Sequence, residues 1–343
     1  MADVLDQKKP ILDIKNLYIN YKAFGGLCYV INGLSLQVFP GEKIALVGES
    51  GCGKTTTVKS ILRVLPRQAR IPGGSILYND QDILKMKKSQ LNRVRKRELS
   101  MIFQDPTAAL NPVFTVGYQL SDIIKYAEIV DKRDRNAVKR KAVQALKDCS
   151  MPDPERIMEN YPFQLSGGMR QRVCIAMALA TASNLMIADE PTTNLDVTIQ
   201  DQVLKLIREL TEEKGMSLIL ITHSIGVARM MADRICVMYA GNIVENAKSK
   251  KILENPLHPY TIGLMDSIPK LTGDSIFSGI PGTLPSYQNP PPGCRFSDRC
   301  PHVHAPCIEK YPPSFDTGDG HMVACYLYDK EHLLLNKKGN SEQ

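Results

Sequence analysis

One eight-residue stretch constrains this chain most: Gly48-Glu49-Ser50-Gly51-Cys52-Gly53-Lys54-Thr55. It fits G-x-x-x-x-G-K-[ST], a loop that cradles phosphate groups. At average composition the four fixed positions arise by chance in roughly one chain per hundred of this length. The flanks narrow the reading further. Ile44-Ala45-Leu46-Val47 is a short apolar run, as in a buried parallel strand. Val58, Ile61, Leu62 and Leu65 recur at i, i+3, i+4 and i+7, which predicts a helix starting near Gly53. Strand, loop and helix aim backbone N–H groups and a helix N-terminus at one point, where an anion is favoured. Gly51 and Gly53 let the backbone close round phosphates with no Cβ in the way. Lys54 adds a point charge for β- and γ-phosphates, and the Thr55 hydroxyl is a Mg²⁺ ligand candidate. The expected nucleotide contacts are Gly48, Ser50, Gly51, Cys52, Gly53, Lys54, Thr55 and the following Thr56.

Length and charge set the frame. The 343 residues are 43% hydrophobic, enough for one large domain or two smaller ones. No apolar run approaches the roughly 20 residues that span a bilayer. Residues Met1 to Pro10 are polar and lack a signal core, and Asn340 to Gln343 carry no lipidation motif. These features predict a cytoplasmic chain that reaches a membrane only through a partner. The net charge of +7 comes partly from runs such as Arg93-Val94-Arg95-Lys96-Arg97 and Lys139-Arg140-Lys141. Those runs lack interleaved aromatics and any nucleic-acid module, so they read as solvated helix surface, and no nucleic-acid partner is expected.

Further candidates follow along the chain. Residues 11–40 alternate apolar and polar, as in antiparallel strands turning near Gly25-Gly26 and Pro40-Gly41. Tyr21 in that stretch is either a base-stacking aromatic or a packed strand residue. Gly73-Gly74 reads as a turn before the strand Ser75-Ile76-Leu77-Tyr78. The apolar run Ser100 to Phe103 ends on Gln104, and strand C-termini face the ligand crevice of α/β sheets. Gln104 is therefore a candidate to touch Mg²⁺ or an attacking water. Residues 105–165 read as a helical insertion, with Val138, Ala142, Leu146 and Cys149 on one helix face.

Ser166 caps the next helix, and Gly167 and Gly168 directly behind it invite a close approach to that backbone, as by a phosphate. Leu185-Met186-Ile187-Ala188 is a buried strand ending in Asp189-Glu190. Two adjacent carboxylates there call for a cation. Asp189 suits a Mg²⁺ ligand acting through water, and Glu190 suits a general base on water. A third buried strand, Leu218 to Ile221, leads to Thr222-His223, which puts His223 in the same crevice position. Residues 235–245 form a hairpin turning at Ala240-Gly241-Asn242, and from about residue 256 prolines break the pattern into a mostly irregular tail.

The nine cysteines divide into five scattered and four late ones. Cys294, Cys300, Cys307 and Cys325 are spaced C-x₅-C, C-x₆-C and C-x₁₇-C. In a cytoplasmic chain such a group suggests a metal or cluster rather than disulfides. The gaps fit no short zinc-ligand pair, yet four thiolates hold either zinc or [4Fe–4S], and His302, His304 and His321 lie nearby. Cys52 stands at a helix N-terminus, where a thiol pKa tends to fall. It is expected to react with maleimide and to be protected by MgATP.

The phosphate loop, Gln104, Leu165-Ser166-Gly167-Gly168, Asp189-Glu190, Asp196 and His223 occur in one order that resembles the ATP-binding subunits of ABC transporters over residues 11–265. In that family these are the Walker A, Q-loop, signature, Walker B, D-loop and switch-histidine elements. Asn194 stands where Ala is usual and Ser224 where Asp is usual; neither change removes a group the chemistry needs. His258-Pro259-Tyr260-Thr261, Ser267-Ile268-Pro269, Ile280-Pro281-Gly282 and Cys294-Arg295-Phe296-Ser297-Asp298-Arg299-Cys300-Pro301 resemble the oligopeptide/dipeptide importer ATPases, a group with nickel-importing relatives.

The resemblance implies a P-loop NTPase fold of α/β class, with an antiparallel β-subdomain, an inserted helical subdomain and an irregular C-terminal extension. The implied domains are a nucleotide-binding domain over residues 1–265 and a four-cysteine extension over 266–343. The implied ligands are ATP, Mg²⁺ and a [4Fe–4S] cluster, with Zn²⁺ as the alternative. The implied partners are a second ATPase subunit, two transmembrane permease subunits and an extracellular substrate-binding protein, at the cytoplasmic face of the membrane. In the implied chemistry Glu190 activates water, His223 positions it, and Lys54 and Mg²⁺ neutralise charge. Ser166, Gly167 and Gly168 meet the opposing ATP, and Asp196 belongs to the D-loop. A nickel importer or a soluble ABC ATPase uncoupled from transport is the alternative reading.

Overall fold

The computed structural model describes residues 9–181, 184–193, 195–267 and 279–329. Expectations on Asn194, on Ile268-Pro269 and on both termini lie outside them. In chain order the main elements begin with β1 (Leu12–Ala23), β2 (Gly26–Val38), β3 (Lys43–Val47), α1 (Lys54–Ile61), β4 (Ala69–Tyr78), α2 (Lys88–Arg97) and β5 (Leu99–Ile102). Next come α3 (Val116–Ala127), α4 (Arg135–Asp148), α5 (Gly167–Leu179), β6 (Leu185–Asp189), α6 (Val197–Glu213), β7 (Ser217–Thr222) and α7 (Ile225–Met231). The chain goes on with β8 (Arg234–Tyr239), β9 (Asn242–Lys248), α8 (Pro259–Asp266), β10 (Phe315–Asp316) and β11 (Met322–Val323). The chain forms two compact units, one made of residues 1–12, 38–43 and 78–221, the other of residues 13–37, 44–77 and 222–343.

In the first unit β5, β6 and β7 run parallel, with Leu99 opposite Leu185 and Leu185 opposite Ser217. Every residue of β6 and β7 is buried, which explains their unbroken apolar runs. Helix α5 packs on β5, and α3 and α4 pack on each other and on α5. Val138, Ala142, Leu146 and Cys149 are all buried, so α4 turns its predicted apolar stripe inward. Asp134 caps α4 by accepting from the Ala137 N–H at 2.8 Å.

In the second unit β3 runs parallel to β8, and β8 pairs antiparallel with β9 through the turn Ala240-Gly241, both at positive φ. The tail, read as mostly irregular, extends this sheet: β11 pairs with β9, placing Val323 opposite Glu245, and β10 pairs with β11. Strands this short carry no period in the sequence, so nothing local announced them.

A separate sheet has β1 between β2 and β4. Here the expected turn at Gly73-Gly74 is instead mid-strand, because β4 runs from Ala69 to Tyr78. Gly74, at φ 93°, lies so close to β1 that a Cβ would sit 2.5 Å from the Asn16 carbonyl oxygen and 2.6 Å from Leu17 Cα. The glycine permits a close backbone approach rather than a reversal.

Candidate functional site

The phosphate loop follows β3 in the second unit. Gly48 lies against β8, where an added Cβ would be 2.1 Å from the Met238 carbonyl oxygen. Gly53, at φ 105°, starts α1 in a conformation that favours glycine. Lys54 is buried, and its Nζ donates to the carbonyl oxygens of Gly48 at 2.7 Å and Glu49 at 3.0 Å. The ammonium thus threads the loop from within and ties two of its carbonyls together. The Tyr21 hydroxyl lies 3.4 Å from Thr56 Oγ1, which sets this aromatic beside the start of α1. His223 is exposed just beyond β7, and Ser224, which replaces an Asp, caps α7 by accepting from the Val227 N–H at 3.3 Å.

Cys52 departs from expectation. It is fully buried, and burial pushes its thiol up, against the lowering effect of Lys54. The helix-terminus rule assumes a solvated thiolate, and the closed loop removes that solvent.

The first unit carries the other candidates. Asp189 is buried at the end of β6, whereas Glu190 stands partly exposed at φ 45°. Glu190 Oε2 accepts from Gln104 Nε2 at 2.8 Å and from the Thr193 hydroxyl at 3.1 Å. Gln104 and Glu190, read separately from two strand ends, therefore meet. Ser166 caps α5, its hydroxyl accepting from the Met169 N–H at 3.3 Å, and Asp196 caps α6, accepting from the Ile199 N–H at 3.0 Å. Gly168 has a packing role too: a Cβ there would lie 2.8 Å from Ile199 Cγ2, whereas one on Gly167 would meet only Leu195 at 3.8 Å.

The four late cysteines are free thiols that line a single pocket with His258, Phe296, His302 and Tyr326. Burial pushes Cys294 up to about 12 and Cys325 up to about 11, with neighbouring thiols adding to the effect. The Tyr311 hydroxyl is buried without a hydrogen-bond partner, and Cys294 and Arg295 are the groups that act on it. Four thiols around one pocket are of the chemical type that ligates a metal or cluster. Among the described residues, however, no group of three or more His, Cys, Asp or Glu side chains is placed to hold a metal ion.

Sequence reasoning missed what surrounds the loop. Tyr260, Tyr287 and Arg299 all bond to it. Arg299 sits inside the Cys294–Pro301 motif, and nothing local to it signals a contact with residue 49.

The comparisons agree with this geometry. A family model described as ABC transporter matches residues 31–193. Another, described as the C-terminal region of oligopeptide/dipeptide transporters, matches residues 244–307. The dipeptide transport ATP-binding protein DppD of Bacillus subtilis (strain 168) is 42% identical over 330 residues, 95% of this chain and 98% of the relative. The chain belongs to the ABC transporter ATP-binding proteins of the oligopeptide/dipeptide group. Another ATP-binding protein similar to it is OppD of Bacillus subtilis (strain 168), named for oligopeptide transport, at 42% identity over 92% of this chain and 88% of its own length.

Among solved structures, the ABC fold is matched by the cassette MJ0796 in a dimeric post-hydrolysis state bound to ADP and Pi. The TM-score is 0.62 at 26% identity, over 69% of this chain and 98% of that one. The cbiO1 protein of Clostridium perfringens, part of the cbiONQ complex, matches with a TM-score of 0.61 at 25% identity, over 72% and 92%. As an ABC ATPase the chain hydrolyses ATP, with Mg²⁺ as the expected ion, and couples hydrolysis to transport. Among the described residues no helix is long and apolar enough to cross a membrane. The C-terminal family match takes in Cys294, Cys300 and Cys307 and stops short of Cys325.

Proposed function

We propose that this chain is one of two ATPase subunits that power a peptide importer, acting at the cytoplasmic face of the membrane through permease subunits. The observation that carries the hydrolytic reading is the pairing of a buried Asp189 with a Glu190 held by Gln104 and Thr193 at the end of a buried strand. The peptide cargo rests on the names of relatives that match nearly the whole chain.

In this reading Gly48, Ser50, Gly51, Cys52, Gly53, Lys54, Thr55 and Thr56 hold the ATP phosphates, and Tyr21 stacks on the base. Thr55, Gln104 and Asp189 serve Mg²⁺ directly or through water. Glu190 takes the proton from the attacking water, and His223 orients that water against the γ-phosphate. Catalysis of phosphoryl transfer is mostly positioning and charge stabilisation, which these groups supply.

One phosphate loop and one signature per chain make half of each composite site. Ser166, Gly167, Gly168 and Asp196 then face the ATP of a second ATPase subunit, in a heterodimer. Support for pairing comes from a similar cassette solved as a dimer.

The helical insertion over residues 105–165 is the proposed permease-facing part of a nucleotide-binding domain that ends near residue 265. Support comes from exposed Phe114 and Tyr118, stacked 4.6 Å apart within that segment. Such exposed aromatics on one face suit a protein partner.

Residues 266–343 form the proposed extension, where Cys294, Cys300, Cys307 and Cys325 would hold a [4Fe–4S] cluster. The wide chain gaps C-x₅-C, C-x₆-C and C-x₁₇-C favour a bulky centre over a single zinc ion. When bound, such a group supplies ligand bonds that hold a region with little core of its own.

The test is assembly. Co-expressed with the permease and partner ATPase subunits, the chain should co-purify with them, and its ATPase rate should rise when a peptide-loaded external binding protein is added. Full ATPase activity in a demonstrably monomeric sample would overturn the composite site.

A further inference from the structure

We propose that Arg299 and Tyr287, far along the chain, are positioning residues for the phosphate loop, and that Arg299 also cancels a charge that would repel nucleotide. The proposal rests on the loop being the ATP phosphate site.

Arg299 makes a two-pronged ion pair with Glu49, Nη1 to Oε2 at 3.0 Å and Nη2 to Oε1 at 3.1 Å. The arginine side chain is only 6% exposed. Its other donors are also spent: Nε on the Pro281 carbonyl oxygen at 2.7 Å, Nη1 on the Tyr239 hydroxyl at 3.2 Å and Nη2 on the Ile280 carbonyl oxygen at 3.0 Å. A guanidinium has five N–H donors, and this one has five acceptors. Such a fork fixes its carboxylate partner in direction as well as distance.

The rest of Glu49 is equally constrained. Its N–H donates to the Tyr260 hydroxyl at 2.9 Å and its carbonyl accepts from Lys54 Nζ. Two residues on, Gly51 accepts from the Tyr287 hydroxyl at 2.8 Å through its carbonyl. Leu284 lies against the same glycine, 3.7 Å from where a Cβ would be. Three of the loop's carbonyls are thus held by hydrogen bonds, those of Gly48 and Glu49 by Lys54 and that of Gly51 by Tyr287. These bonds fix the course of the loop backbone at Gly48, Glu49 and Gly51 before an anion arrives.

Charge gives a second consequence. Glu49 is a carboxylate in a loop built to hold a polyanion. Paired with Arg299 it is neutralised; unpaired it raises the local negative potential.

The experiment uses the full chain and MgATP, with affinity measured by calorimetry and turnover by phosphate release. Arg299→Ala should weaken MgATP binding about tenfold with kcat at saturating ATP within twofold of wild type. The loss should shrink at high salt, as a screened charge effect does. Adding Glu49→Gln to Arg299→Ala should recover part of the affinity, because the repelling charge is gone. Arg299→Lys keeps the charge and loses the fork, so it should weaken binding a few-fold, and it carries the test if the alanine variant does not fold. Tyr287→Phe should add a smaller loss.

Lys54→Ala is the control for the site itself. If it abolishes binding while Arg299→Ala and Arg299→Lys leave affinity unchanged, the positioning role is refuted and the nucleotide site stands. If Lys54→Ala binds MgATP normally, the site reading fails instead. A double variant that binds no better than Arg299→Ala would refute the charge-cancelling role.

Discussion

Gln104 Nε2 donates a hydrogen bond to Glu190 Oε2 over 2.8 Å, joining two strand ends that are 86 residues apart in the chain. The Thr193 hydroxyl donates to the same oxygen. These bonds orient the carboxylate before substrate arrives. Glu190→Gln should keep MgATP affinity within about threefold and cut turnover by roughly 10²–10⁴, the usual contribution of a positioned general base. Single-turnover assays in the assembled complex decide it, and a turnover near that of wild type would remove Glu190 from the role.

Cys52 should be a poor target for maleimide. Its thiol is buried and its pKa raised by that burial, so little thiolate exists at neutral pH. Mass-spectrometric footprinting at pH 7 should label half-buried Cys28 well before Cys52. Labelling of Cys52 should keep accelerating as pH rises past 9, the ordinary thiol value. Fast labelling of Cys52 at pH 7 that MgATP blocks would restore the opposite view.

His258 makes the fold acid-sensitive. It is fully buried, its Nδ1 accepts from the Tyr260 N–H at 3.0 Å, and burial holds its pKa down at about 3 against an ordinary 6.5. The unfolded chain takes up this proton near 6.5 and the folded chain does not, so the associated stability is complete above pH 6.5 and drains away as pH falls toward 3. At pH 4.5 the loss from this group is on the order of 2–3 kcal/mol. His258→Asn keeps a capping acceptor and cannot titrate there. Urea unfolding at pH 7 and 4.5 should find the variant less acid-sensitive than wild type; equal pH slopes would exclude His258 as the source.

Anaerobically purified chain should be brown, with about four irons per chain if a [4Fe–4S] group is held. Cys294→Ser or Cys325→Ser should bleach it and raise protease sensitivity beyond residue 280. MgATP binding should persist, weakened in proportion to any disturbance of Arg299. Colourless anaerobic protein holding one zinc would rule out the cluster.

The stacked pair Phe114 and Tyr118 is exposed, so replacing both by Ser should change stability by less than about 1 kcal/mol. The ATPase rate of the isolated chain should be unaffected. Stimulation by permease subunits should fall at least several-fold, read as phosphate release with and without the membrane partners. Undiminished stimulation would move the docking surface elsewhere.

What the sequence disclosed and what it hid follow from range. The Lys54 loop, the Ser166 cap, the Asp189-Glu190 strand end and the Ala240-Gly241 turn are local patterns, and each forms where its residues predict. Gly74 was misread because a glycine in a turn and a glycine in a crowded strand look alike in sequence. The direction of the Cys52 shift depends on burial by distant residues, and the pairing of Val323 with Glu245 depends on a strand two residues long. Arg299 and Glu49 illustrate the limit: each is an ordinary surface-type residue until the fold brings them together.

That pair also sets a clock on the ribosome. Glu49 and Arg299 are separated by 250 residues. At about 5–20 residues per second, the loop emerges about 12–50 s before its arginine has been translated. Until then the nascent loop carries an uncompensated carboxylate and lacks the Tyr260 and Tyr287 hydroxyls. A half-made chain is therefore a weak competitor for cellular ATP, and tight nucleotide capture comes late in synthesis.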